Sequence, residues 1–311
     1  MTTPRTSRTS HPLTRARRAR RAVGRTILGA TAVVALAVGG MWAVEKVLDS
    51  RRAEPEPRHT CWANAGGDDW YLSPDQAQNA ALFAAMATER GLPPRAVTIA
   101  IATALQESWA TNIDYGDRDS VGLFQQRPSQ GWGTVEEIMD PVYSTGKFYD
   151  GLVKVRDYEE LEVTVAAQAV QRSAFPDAYA KHEGKARAWA SALAAQDGAT
   201  LTCELRAALP GGDPAAFARR VDRDWPSASV TADTATGTVR MSPGKLGSDK
   251  GRTLTRLAHW AVAVAEDGQV ASVAVGDRVW ERSTAAWRTV VPTEGTAPTS
   301  KADAVTVTLV P

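Results

Sequence analysis

Glu107 closes an apolar, helix-patterned run, Ala96 to Ser108, AVTIAIATALQES. It falls three residues after Ala104, four after Thr103 and seven after Ala100, so it shares a helix face with small side chains. Val97, Ile101 and Leu105 form the neighbouring core stripe. A carboxyl at the end of such a helix is partly desolvated and its pKa rises, the state a general acid needs near neutral pH. By itself, a glutamate in a last helical turn is an ordinary solvated residue, so its surroundings must decide. Those are a polar segment, 109–133, rich in Asn, Asp, Gly and Gln. Within it Asp114, Asp117 and Asp119 are candidates for a second carboxylate. One of them facing Glu107 could activate water or form a covalent intermediate, depending on separation. Alternatively they cap a tight turn, or place oxygens around a structural Ca²⁺, although the spacing lacks an EF-hand's full ligand set.

The elements that must hold these groups read as helices. Ser73-Pro74-Asp75-Gln76 is a capping box with proline at the first helical position, and Gly91 suits that helix's C-terminus. A second helix runs from Pro93/Pro94 to Ser108. Thr134-Val135-Glu136-Glu137 is another capping box, and Asp140-Pro141 opens a helix carrying Phe148, Leu152 and Val153 on one side. Val163, Ala167 and Val170 mark a fifth, Phe175-Pro176 breaks it, and a last helix reaches Ala195. No sheet is expected across 61–203. Cys61 and Cys203, the only two cysteines, bracket this stretch. In an oxidising compartment a disulfide between them closes a long loop, worth about 5 kcal/mol by chain-entropy arithmetic.

The run Ala104-Leu105-Gln106-Glu107-Ser108, followed by Gly122-Leu123-Phe124-Gln125-Gln126, resembles the first two motifs of lytic transglycosylases and goose-type lysozymes. Phe124 replaces the family's usual Met, and Ala169-Val170-Gln171 stands where the family has Ala-Tyr-Asn. Tyr179 falls about where the family places a tyrosine in its last helix. The likeness spans roughly residues 73–195. It implies a lysozyme-like helical domain with Glu107 as catalytic acid/base in a groove for peptidoglycan glycan strands. Ser108 would help orient Glu107, while Gly122, Phe124 and Gln125 would line the sugar site. Glycine suits a backbone that approaches a ligand closely, and a glutamine offers an acetamido group both donor and acceptor. If no aspartate faces Glu107, the likeness implies that the substrate's own acetamido group serves as nucleophile. A 1,6-anhydro product then forms with Glu107 acting as acid and afterwards as base. Trp109, Trp132 and Tyr115, in the polar segment, offer flat aromatic faces for sugar rings, with core packing as the plain alternative. No cofactor or metal is required.

Across the 311 residues, 43% are hydrophobic and 23% charged, proportions of a globular protein. Two cysteines and four histidines argue against a metal-cluster protein or a disulfide-dense miniature. The net charge of +1 hides an asymmetry: residues 1–25 carry eight arginines and no acid, while 61–203 carry 11 basic and 19 acidic residues. An acidic body will not grip an anionic wall by bulk charge, so binding must depend on local contacts. After the arginines come 19 uncharged residues, 26–44, about 28 Å as a helix. Nucleic acid is therefore not the expected partner of the basic head. The positive-inside rule instead predicts a cytoplasmic tail (1–25), an uncleaved signal anchor in the cytoplasmic membrane (26–44) and a stalk (45–60), with the body exported. Cleavage and secretion is the alternative.

The expected organisation continues with the lysozyme-like domain (61–203), a linker (204–212) and a small α+β domain (213–311). In that last part a helix is expected over Leu254–Glu266 and a hairpin around Gly276-Asp277. Thr236–Met241 and Ala304–Val310 are expected strands. Trp280 and Trp287 read as core before binding surface, and a protein partner could dock through this domain. The fold class is thus a mainly α lysozyme-like domain followed by a small α+β domain, with one N-terminal transmembrane helix. The expected function is membrane-anchored, extracytoplasmic cleavage of glycan strands, as lytic transglycosylase before lysozyme. A non-catalytic wall-binding or assembly scaffold on the same fold is the alternative.

Overall fold

Thr60 to Leu72 forms a hairpin of β1 (Thr60–Ala65) and β2 (Asp68–Leu72). Its two-residue turn is Gly66-Gly67, with φ of +70° and +93°, a left-handed pair that glycine adopts without a Cβ clash. The other edge of β1 pairs with β3 (Thr200–Glu204), and the register sets Cys61 directly opposite Cys203. The two are joined by a disulfide across a sequence separation of 142. This computed structural model describes residues 59–173, 177–290 and 303–310.

Between β2 and β3 the helices start where the local signals place them. In α1 (Pro74–Glu89) the Ser73 capping box is formed in full. Next is α2 (Pro94–Ser108), buried all round from Ala96 to Leu105, so it is the central helix, packed by α1 and by two later helices. The Thr134 box caps α3 (Val135–Met139), and the Asp140 carboxylate caps α4 (Pro141–Leu152). α5 (Val163–Gln171) and α6 (Glu183–Leu193) complete the packing around α2. The expected break at Phe175-Pro176 lies outside the described residues.

The remaining elements are α7 (Pro214–Asp224), β4 (Ser229–Asp233), β5 (Thr238–Ser242), α8 (Lys250–Ala263), β6 (Val270–Val275), β7 (Arg278–Glu281), β8 (Ala286–Thr289) and β9 (Val305–Leu309). The strands make a six-stranded antiparallel sheet in the order β4-β5-β9-β6-β7-β8, so the last strand enters its middle. Hydrophobic core runs without interruption from Cys61 to Leu309. At its centre α8 lies against α1, α6, β3 and β6. Buried His259 reaches the Ala192 carbonyl at 2.6 Å. The Trp280 and Trp287 indoles donate to Thr202 Oγ1 and the Leu201 carbonyl, both at 2.8 Å. Trp280 is fully buried, and Trp287 is half-buried against the same core.

Two expectations are corrected here. The mainly α reading fails because two antiparallel sheets, of three and six strands, share the structure with the helices. Helical periodicity dominates 73–195, while β1 and β2 are short, and β3, the other partner of β1, lies more than a hundred residues away. The single-pass membrane placement is also corrected. Among the described residues no helix is long and apolar enough to cross a membrane. The longest, α1, has 16 residues, about 24 Å, less than a hydrocarbon core. The tail 1–25, the segment 26–44 and all but the last two residues of 45–60 lie outside the described residues.

Candidate functional site

Glu107 lies in the last turn of α2, half-buried, and three separate elements meet at its carboxyl. The Tyr179 hydroxyl, from the chain just before α6, donates to Glu107 Oε1 at 2.6 Å. Burial raises the Glu107 pKa above its ordinary value, while Tyr179 and then Gln171, the last residue of α5, favour the ionised form and partly oppose that rise. Tyr179 is fully buried. Burial first, then the Glu107 charge and its hydrogen bond, drive the Tyr179 pKa far up, so the phenol stays a neutral donor.

His182, one turn beyond Tyr179, is also buried, with Nε2 3.3 Å from Gln106 Oε1. Burial, with Lys181 and Lys185 adding to it, pushes its pKa down to about 4. The imidazole is therefore neutral at pH 7. These neutral neighbours leave Glu107 to titrate in a partly dry cradle, which suits a group that gives and takes a proton.

A strained turn directly follows the carboxyl. Trp109 and Ala110 both take left-handed backbone, φ +57° and +53°, so the chain reverses at once after Ser108. Two α1 amides hold this turn: Gln76 Nε2 donates to the Trp109 carbonyl at 2.9 Å, and Asn79 Nδ2 to that of Ala110 at 2.8 Å. The Trp109 ring stands edge-on to His182, 5.9 Å between centroids, and remains 36% exposed beside Glu107. Tyr115, also in the polar segment, is 70% exposed.

The Gly122–Gln125 segment is joined to Glu107 through backbone. Ser108 Oγ donates to the Leu123 carbonyl at 2.7 Å and to that of Ala104 at 3.2 Å. Gln171 Nε2 donates to the Phe124 carbonyl at 2.6 Å. Two consecutive carbonyls are thus gripped by residues from two different helices. The Phe124 side chain itself is fully buried, stacked on Phe148 at 4.5 Å and tilted against Phe83 at 5.2 Å. It belongs to the core, not to a sugar-lining surface. Gly122 is needed for reasons inside the protein: its φ is +80°, and a Cβ there would stand 2.8 Å from the Ile138 carbonyl oxygen. Gln125 turns its amide onto the Tyr115 and Gly122 carbonyls, at 3.2 and 3.3 Å. Trp132 is half-buried against the core beside Gly151.

The aspartates divide. Asp119 is a latch, taking Arg127 Nε at 2.7 Å, the Ser129 amide at 2.8 Å and the Ser129 hydroxyl at 3.0 Å. The Ser129 amide, then Arg127, hold its pKa well below the usual carboxylate range. Asp114 and Asp117 are exposed, with Arg118 4.0 Å from Asp117. Among the described residues none of the three is hydrogen-bonded to Glu107, and no group of three His, Cys, Asp or Glu side chains gathers as a metal cradle.

Gln171, His182, Gln76 and Asn79 were not read as site residues from the sequence. Only Gln171 had a signal, since it stands in the stretch aligned with the family's third motif. Two surface clefts lie elsewhere: one of about 340 Å³ beside Asp75 and Arg220, another of about 290 Å³ beside His259 and Trp287. Neither includes Glu107. No protein-family model matches the chain, and no curated protein matches it.

Proposed function

We propose that this protein cleaves the glycan strands of peptidoglycan, with Glu107 as general acid and base, in the manner of a lytic transglycosylase. The observation that carries the reading is the Glu107 carboxyl itself. It is half-buried, its pKa raised by desolvation, and it is held at 2.6 Å by a phenol that stays neutral. A carboxyl so placed is protonated over a wider pH range than a solvated one and can donate to a glycosidic oxygen.

The disposition of the aspartates favours the one-carboxylate route. With Asp119 committed to Arg127 and Ser129, Glu107 is asked to serve both steps. Its proton goes to the departing glycosidic oxygen as the C1–O bond breaks, while the neighbouring acetamido oxygen of the substrate supports C1. The Glu107 carboxylate then takes the proton of the C6 hydroxyl as O6 closes on C1, which restores the acid and leaves a 1,6-anhydro sugar. Hydrolysis by a water delivered to C1 is the second outcome of the same acid. Trp109, exposed beside the carboxyl, offers the stacking face. The Cys61–Cys203 disulfide suits an oxidising compartment.

One feature favours a non-catalytic glycan-binding scaffold instead: Ala169-Val170-Gln171 lacks the Tyr and Asn of the third motif that the likeness calls for. Mass spectrometry of purified peptidoglycan, incubated with the protein and with Glu107→Gln, separates the readings. Anhydro ends that vanish in Glu107→Gln are expected. Hydrated reducing ends would move the assignment to a muramidase, and intact glycan with binding retained would overturn the enzyme.

A further inference from the structure

We propose that Gln171 is the positioning residue for Glu107, its carboxamide anchored on the Phe124 carbonyl and offering an N–H to the ionised carboxyl and a C=O to the protonated one. The inference rests on Glu107 being the group that cycles between acid and base. Three observations lead to it. First, Gln171 Nε2 is fixed by the Phe124 carbonyl at 2.6 Å, which orients the amide plane and leaves Nε2 one further hydrogen. Second, the same side chain favours the ionised form of Glu107, which places it within reach of that carboxyl. Third, Gln171 Oε1 is buried and takes no hydrogen bond among the described residues. A buried carbonyl left without a donor is costly, and such groups are uncommon in folded proteins.

A donor for that oxygen arises within the site when Glu107 is protonated, because a neutral carboxyl gains an O–H. The ionised carboxyl is acceptor-only and takes the amide's N–H. A glutamine carries both functions in one plane, which neither an apolar side chain nor a second carboxylate provides. Its location reinforces the role. Helix α5 stops at Gln171, with Arg172 in left-handed backbone at φ +53°, and Gln168 Nε2 ties down the Ser173 carbonyl at 2.7 Å. The amide is therefore presented from a helix end held at both sides.

The test is NMR titration of the Glu107 side-chain carboxyl in the whole protein, with the Gln171 side-chain NH₂ followed in the same samples. In the unmodified protein the Gln171 NH₂ signals should shift with the Glu107 midpoint, and that inflection should disappear in Glu107→Gln. In Gln171→Met, close in shape without polar atoms, both forms of the carboxyl lose a partner; the charge-assisted N–H bond to the ionised form is the stronger of the two, so the Glu107 midpoint should move upward by about half a pH unit or more. Glycan cleavage, where present, should fall about 10-fold or more in kcat with KM little changed, and its acid-side limb should follow the midpoint. Gln171→Glu should not restore it, since it lacks the N–H. Gln171 NH₂ signals indifferent to Glu107 in the unmodified protein would overturn the proposal, whether or not Gln171→Met folds. So would an unmoved midpoint in a folded Gln171→Met. Absence of cleavage by the unmodified protein would count against the enzymatic reading alone, because the titration does not depend on turnover.

Discussion

Ser108 Oγ donates to the Leu123 carbonyl at 2.7 Å, and Ser108 is the residue next to Glu107. The serine therefore ties the polar segment to the end of α2, and its buried hydroxyl is taken up by backbone carbonyls. The carboxyl is in turn positioned by α1 through the turn at Trp109, by α5 through Gln171 and by Tyr179. Helix packing thus sets the placement of the acid.

Replacing Glu107 with Gln should remove glycan cleavage by at least about 10²-fold. It should also change stability in a pH-dependent way. A carboxyl whose pKa is raised on folding binds more protons in the folded state, so its contribution is fully present below the unfolded value of 4.5 and is lost as pH rises through the folded value. Glu107→Gln is accordingly expected to melt higher than the unmodified protein at pH 7, and equally below pH 4.5. Paired thermal melts from pH 4 to 8 measure this, and an equal difference at every pH would refute the burial argument.

Gly122→Ala places a side chain where the backbone has φ +80° and where the Ile138 carbonyl oxygen is 2.8 Å away. The expected cost is about 1–3 kcal/mol from strain and overpacking combined. Urea denaturation gives the value. A neutral substitution would mean that the turn adapts freely.

Asn79→Ala removes the amide that holds the Ala110 carbonyl in the left-handed turn. A loss of about 1 kcal/mol in stability is expected, because a buried carbonyl is left unpaired. Faster hydrogen exchange at the Ala110 amide, which donates to the Ala104 carbonyl at 2.8 Å, should accompany it. Unchanged exchange there would show that the turn does not need α1.

Reduction of Cys61–Cys203, or the paired change to Ser, should cost about 2–5 kcal/mol in chemical denaturation. The bond joins strands that are already neighbours in a sheet, so the reduced protein should keep its fold and lose stability. Loss of fold on reduction would mean that the sheet depends on the bridge.

His259 is fully buried against the Ala192 carbonyl, and burial pushes its pKa down to about 4. A depressed histidine contributes stability above its unfolded value, near 6.5, and loses it as pH falls toward about 4. The full effect is about 3 kcal/mol across that window. His259→Asn should flatten the stability profile between pH 6.5 and 4, as urea midpoints across that range would show.

Several features needed only neighbours in sequence. The Ser73 and Thr134 capping boxes and the Asp140 cap start helices α1, α3 and α4 through bonds that span two or three residues. The Gly276 turn makes the β6–β7 hairpin by its own left-handed backbone, φ +58°. The apolar run that ends at Glu107 determines both the helix α2 and the half-buried place of its carboxyl. The Gly66-Gly67 hairpin was equally local, but its strands are short and β1 buries only small side chains, Cys61 and Ala63, so the alternation is faint. Tertiary structure decided the rest. Pairing of β1 with β3, insertion of β9 between β5 and β6, and the convergence of Tyr179 and Gln171 on Glu107 all join residues far apart in the chain. Phe124 shows the same division: a motif position says that a side chain is there, while Phe83 and Phe148, from two other helices, decide that it points into the core. Such contacts reward folding only after long loops have closed, so no short window of sequence carries their signature.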